Sequence, residues 1–179
     1  RELLPGIALH AVGDALAAYI DRAALDKRLD VWIQREALLL LSCCAADRFA
    51  EIAEARLREA GEGDDLFVRR FAVERLAGGG MANERRDRLA GIAVHDSSPY
   101  VRQAAAQALA QLTPSAAQRY WPVLAIEDPT PQVRAAAILE APRLAAQSAH
   151  FEAMLHGLDI VLRKERSTFC LRVALRSVE

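Results

Sequence analysis

The stretch Asp96-Ser-Ser-Pro-Tyr-Val101-Arg102-Gln-Ala-Ala-Ala-Gln-Ala-Leu109 returns 32 residues later as Asp128-Pro-Thr-Pro-Gln-Val133-Arg134-Ala-Ala-Ala-Ile-Leu-Glu-Ala141. Both copies run aspartate, proline, Val-Arg and then an alanine-rich segment. A weaker copy lies 33 residues earlier, in Asp64-Asp-Leu-Phe-Val68-Arg69-Arg70-Phe-Ala-Val-Glu74-Arg-Leu76. A degenerate fourth, Phe169-Cys-Leu171-Arg172-Val-Ala-Leu175, closes the chain, and a looser match begins near Ile33. A period in the low thirties fits two helices of about a dozen residues joined by two short turns. Such pairs stack into solenoids, because one pair cannot bury its apolar face alone.

The local chemistry agrees with this register. Asp96 and Asp128 stand where the chain must reverse and can accept hydrogen bonds from nearby backbone amides. Pro99 and Pro131 suit a first helical turn, where the missing N–H does no harm. Val101, Ala104, Ala105, Ala108, Leu109 and Leu112 fall on one side of a helix, and Gln103, Gln107, Ala110 and Gln111 on the other. Alanine on the inner side lets helix axes approach closely and favours the helix itself. Partner helices are expected at Asn83 to His95, Ser115 to Ile126 and Ala149 to Leu162. Thr113-Pro114-Ser115 and Gly78-Gly79-Gly80 mark turns between helices.

Asp96, Pro99, Val101 and Arg102, repeated as Asp128, Pro131, Val133 and Arg134, resemble the HEAT-repeat superfamily, specifically its phycobilisome-lyase HEAT-like variant. The resemblance implies an all-α fold, a right-handed α-solenoid of antiparallel helix pairs. It also implies that Asp96, Arg102, Asp128 and Arg134 form a structural ladder between successive repeats. The copy at Val68 departs from the pattern, with Gly63 where the aspartate belongs and Asp64 one place later, which puts its ladder contact in question. Residues 1–179 are expected to form one array, with the best repeats at 83–112 and 114–144 and weaker ones at 30–79 and 150–179. The start at Arg1 and the stop at Glu179 inside a helical pattern suggest a piece of a longer chain.

Composition bounds the function. At 179 residues, 53% of them hydrophobic and 6% aromatic, the chain can bury roughly 70% of its unfolded surface without a metal or disulfide staple. With 23 basic against 24 acidic residues and a net charge of −1, no global field draws polyanions, so the charge balance disfavours a nucleic-acid partner. No apolar run reaches the roughly 18 residues of a membrane span, and the longest, Ala37 to Ala46, is broken by Ser42. Three cysteines cannot all pair internally. Cys43 and Cys44 sit in an apolar helical run, which favours packing over a thiol switch, and a reducing, cytoplasmic location is the default expectation.

Nothing in the sequence assembles a catalytic, cofactor-binding or metal site. His150 and His156 are six apart on a helix and face different ways, His10 stands alone, and His95 at a helix end suits interaction with terminal carbonyls. Gly78-Gly79-Gly80 lacks the lysine of a phosphate cradle. Glu84 can pair with Arg88 along a helix, so Glu84-Arg85-Arg86-Asp87-Arg88 reads as a solvated face before it reads as a phosphate-contacting patch. Trp32 and Trp121 adjoin apolar residues and are expected in core or inter-repeat packing.

The surface of interest lies opposite the buried side of the Val-Arg helices, which in the resembled superfamily lines the concave side. It carries Arg70 and Glu74, then Gln103, Gln107 and Gln111, then Ala135, Leu139 and Arg143. Mixed polarity with an apolar spot suits a protein or peptide, whether separate or another domain of the same chain. The expectation is a non-catalytic protein-protein interaction scaffold. The alternative comes from the resemblance, which extends to bilin lyase-like chaperones and to HEAT-like DNA glycosylases; the charge argues against the latter, and no residue here matches its catalytic carboxylate.

Overall fold

The computed structural model describes residues 14–59, 66–77, 81–147 and 151–177. Among the described residues ten α-helices follow one another: α1 (Asp14–Leu25), α2 (Val31–Cys44), α3 (Ala46–Arg58), α4 (Leu66–Glu74), α5 (Asn83–Ala93), α6 (Pro99–Ala108), α7 (Pro114–Pro122), α8 (Pro131–Gln147), α9 (Phe151–Lys164) and α10 (Thr168–Arg176). Among the described residues there is no strand. Each odd helix packs on the even helix that follows it, and α2, α4, α6, α8 and α10 pack each on the next to form one continuous layer. The fold is an all-α, HEAT-like solenoid.

The even layer owes its regularity to one buried position per repeat. Val68, Val101, Val133 and Cys170 are all fully buried. Cys170, not Leu171, thus takes the valine position of the last repeat. The register of that copy is one residue earlier than the sequence reading placed it, and Arg172 is exposed. The reason is Glu165, which takes over the aspartate's place. Asp96 Oδ1 accepts the Ser98 amide at 2.8 Å, Asp128 Oδ1 the Thr130 amide at 2.8 Å, and Glu165 Oε1 the Ser167 amide at 2.7 Å. The 17-residue α8 lengthens the interval before Glu165 and hides it from a search at the shorter period.

These acids also receive the arginine of the preceding repeat. Arg69 donates to Asp96 through Nε at 3.0 Å and Nη2 at 3.2 Å. Arg102 donates to Asp128 at 2.6 and 3.2 Å, and Arg134 to Glu165 at 2.6 and 2.8 Å. Arg102 and Arg134 reach backward too, to the carbonyls of Asp96 at 2.9 Å and Asp128 at 2.8 Å. Arg102 and Arg134 each therefore tie the turn before their own helix to the turn of the next repeat, which satisfies charges that burial would otherwise penalise. The Arg134 fork, with help from the Ser167 and Arg166 amides, holds the Glu165 carboxyl down to about 2. Arg69 makes its contact despite the shifted aspartate upstream; Gly63 and Asp64 lie outside the described residues.

Trp121 anchors the second half of the array. It is fully buried, its Nε1 donates to the Ala137 carbonyl at 2.8 Å, and its ring leaves no room for a side chain at Gly157. Trp121 is thus a core residue. Pro122, which cannot donate a backbone hydrogen bond, precedes a wide π turn over Val123–Glu127.

Candidate functional site

Counting from the buried valine of each even helix, the positions one before and two, six and ten after it share a face, since their spacings of three and four follow the helical repeat. In α4 these are Phe67, Arg70 and Glu74; in α6 and the turn after it Tyr100, Gln103, Gln107 and Gln111; in α8 Gln132, Ala135, Leu139 and Arg143. Phe67, Tyr100, Glu74, Gln107, Gln111, Gln132, Leu139 and Arg143 are exposed, while Arg70 and Gln103 are half-buried. Ala135 does not join them: it is 2% exposed, because the alanine's short side chain lets the neighbouring helices close over it. Polar partners within this face are local, Arg70 to Glu74 at 2.7 Å and Arg143 to Glu140 at 3.5 Å.

The face opens into a hollow between α2 and α4. Val31, Trp32 and Arg35 from α2 and Phe67, Arg70, Phe71 and Glu74 from α4 line a cavity of 450 Å³. Its physical origin lies in one substitution of the repeat pattern. Phe71 stands three residues after Val68, where the next two repeats have Ala104 and Ala136. A phenylalanine holds the helices apart where alanine lets them meet. The Arg35 guanidinium lies over both the Trp32 ring, 5.4 Å from its centroid, and the Phe71 ring, 4.9 Å from its centroid. Such stacking holds a cation in place without neutralising it. On the other side of Trp32 a second, apolar hollow of 320 Å³ is lined by Tyr19, Ile20, Ala23, Ile33, Glu36, Ala37 and Leu40.

Trp32 corrects an expectation. It is 63% exposed, the shared wall of two hollows and not a core residue. Its neighbours Val31 and Ile33 misled the reading, because the repeat's buried contact falls to Gln34, whose side chain receives the buried Arg56 and donates to the Leu29 carbonyl at 2.8 Å. The exposed aromatics Phe67 and Tyr100 were also missed. They precede the Val-Arg pair by one residue, so carrying the polar stripe one turn toward the N-terminus would have found them.

The polar clusters resolve differently from the sequence reading. Arg88 pairs with Glu54 of α3 at 3.8 Å and not with Glu84. Arg85 donates to the Asp47 carbonyl at 3.0 Å, and Arg86 to the Gln111 carbonyl at 2.9 Å. The cluster thus joins neighbouring repeats instead of presenting a free patch to phosphate. Cys43 is exposed and Cys44 half-buried, so packing does not account for the pair; Cys170 is buried, and burial pushes its thiol up. His95 and His156 are both exposed, and His10 and His150 lie outside the described residues. Among the described residues no group of His, Cys, Asp and Glu is arranged to hold a metal ion, and no helix is long and apolar enough to cross a membrane.

Helix pairing, the arginine ladder and the alanine-rich even layer coincide with one family comparison. Residues 92–116 match the HEAT repeat. The matched segment spans the end of α5, the turn at Asp96, α6 and the start of α7. This supports the HEAT-repeat superfamily, whose repeats commonly serve as protein-interaction scaffolds. No curated protein matches the chain. In HEAT-like terms, the exposed stripe belongs to the second helix of each repeat, and the α2–α4 cavity lies where Phe71 departs from the alanine of that pattern.

Proposed function

We propose that the chain is a non-catalytic scaffold that binds a protein or peptide, whether separate or another domain of its own chain, along the exposed face of the even helices. The single observation that carries this reading is the stripe from Trp32 and Phe67 through Tyr100, Gln107 and Leu139 to Arg143. It combines exposed aromatic and aliphatic side chains with uncharged polar ones, the mixture typical of protein interfaces. Arg70, Glu74, Gln103, Gln107, Gln111, Leu139 and Arg143 are its contact residues. In this reading residues 1–179 work as one array of the phycobilisome-lyase HEAT-like variant, and the Asp96, Arg102, Asp128 and Arg134 ladder keeps the face in register. The reduced side chains of Cys43, Cys44 and Cys170 suit a reducing cytoplasm.

The test is partner binding by the purified chain, with Gln107→Glu plus Arg143→Glu as the perturbation. A partner captured from native lysate and re-bound in purified form should lose affinity in the double variant while helicity stays unchanged. Turnover of a substrate that disappears when one buried polar residue is replaced would overturn the proposal.

A further inference from the structure

The α2–α4 cavity carries more than shape, because one of its two arginines makes no hydrogen bond to the acid nearest it. Arg70 is occupied by Glu74 at 2.7 Å. Arg35, stacked on Trp32 and Phe71, has among the described residues an ion pair with Glu36 alone, at 3.7 Å and without a hydrogen bond. Two arginines against one glutamate leave the lining itself at +1, with Glu36 just outside it. A guanidinium fixed by two rings beside an apolar cavity presents its fork to an incoming anion, and its fixed position lessens the ordering needed on binding.

We propose that this cavity is the anchor site for an acidic peptide segment, with an Asp or Glu carboxylate on the Arg35 fork and an adjoining apolar side chain between Trp32 and Phe67. The volume of 450 Å³ falls within the range of small-ligand pockets and accepts one large side chain. The second hollow beyond Trp32 continues the apolar wall for a further residue of the same segment. Glu74 on one side and Glu36 on the other favour a peptide over a phosphate backbone, which would bring repeated negative charge against both. Arginine selects the carboxylate, and the rings select what accompanies it.

This inference rests on the reading of the even layer as a protein-binding face, and the experiment separates the two. A random 12-residue phage-displayed peptide library is panned against the 179-residue chain, and enriched peptides are re-made and titrated by anisotropy. The expected sequences carry Asp or Glu next to Phe, Leu or Trp, and their binding shifts the Trp32 emission to the blue. Arg35→Ala should weaken them about ten- to hundredfold, the range of a lost charged hydrogen-bond pair, with Arg35→Lys restoring only part. Trp32→Ala should weaken them as well, with unchanged circular dichroism. Enriched peptides that ignore both variants but fail with Gln107→Glu plus Arg143→Glu overturn the anchor site and leave the scaffold reading standing. Basic or charge-free peptides that still depend on Trp32 overturn the acidic choice. No enrichment, or binding of a single-stranded oligonucleotide in its place, overturns both.

Discussion

Replacing Asp128 by alanine removes one rung of the ladder, and the structure sets the size of the effect. The Asp128 side chain is 3% exposed and that of Arg102 12%. The substitution takes away both fork contacts, at 2.6 and 3.2 Å, and the acceptor for the Thr130 amide at 2.8 Å. Stranding one member of a buried pair costs about 3–5 kcal/mol. Arg102 keeps the Asp96 and Ser97 carbonyls and the Thr130 hydroxyl, so the lower end applies, about 3 kcal/mol. For a chain of this size that corresponds to a melting point lower by about 6–12 °C. The assay is urea unfolding, with hydrogen exchange to locate faster opening at the α6–α8 seam. Asp159→Ala serves as control, since its partner Arg163 is 76% exposed and the pair is worth well under about 1 kcal/mol. Equal losses for Asp128→Ala and Asp159→Ala would refute the claim that the ladder holds neighbouring repeats together.

Three further outcomes follow from particular contacts. The Glu165 carboxyl lies at about 2 in the folded chain against an ordinary 4.5. Its stabilisation is therefore complete above pH 4.5 and lost as pH falls toward 2, on the order of 2 kcal/mol; acid titration of stability should flatten in that window with Glu165→Gln, and an unchanged acid limb would contradict the assignment. Gly157→Ala should destabilise by about 1–3 kcal/mol, because its Cβ would sit 2.4 Å from Cζ3 of the pinned Trp121. Gly91→Ala meets mainly the movable Tyr120 hydroxyl at 2.5 Å and gains helix propensity, so thermal melts should place it near neutral, and a reversed order would show that Trp121 can shift. Acrylamide should quench only one of the two tryptophans readily, and Trp32→Phe should abolish that component while leaving the blue-shifted emission of Trp121.

What could be read in the sequence follows from which forces are local. The helix pairs at Asp96 and Asp128 were legible because the capping acid, the proline and the Val-Arg pair act within a few residues of one another, and the family comparison matches part of the same stretch. The last repeat was read one residue out of register, because glutamate replaces aspartate and α8 is longer than its counterparts; only the three-dimensional fork from Arg134 to Glu165 reveals the equivalence. The two tryptophans show the same limit from opposite sides. Both adjoin apolar residues, yet Trp121 lies in the core and Trp32 on the surface, because burial depends on which face the neighbouring repeat covers. The anchor site was hidden for a related reason. Phe71 alone reads as one more apolar residue of a helix; its meaning comes from Ala104 and Ala136 at the same place in the next repeats, where small side chains close the seam that Phe71 holds open. In a repeat protein the departures from the pattern are thus where binding geometry arises, since every position that keeps the pattern is already committed to its neighbours.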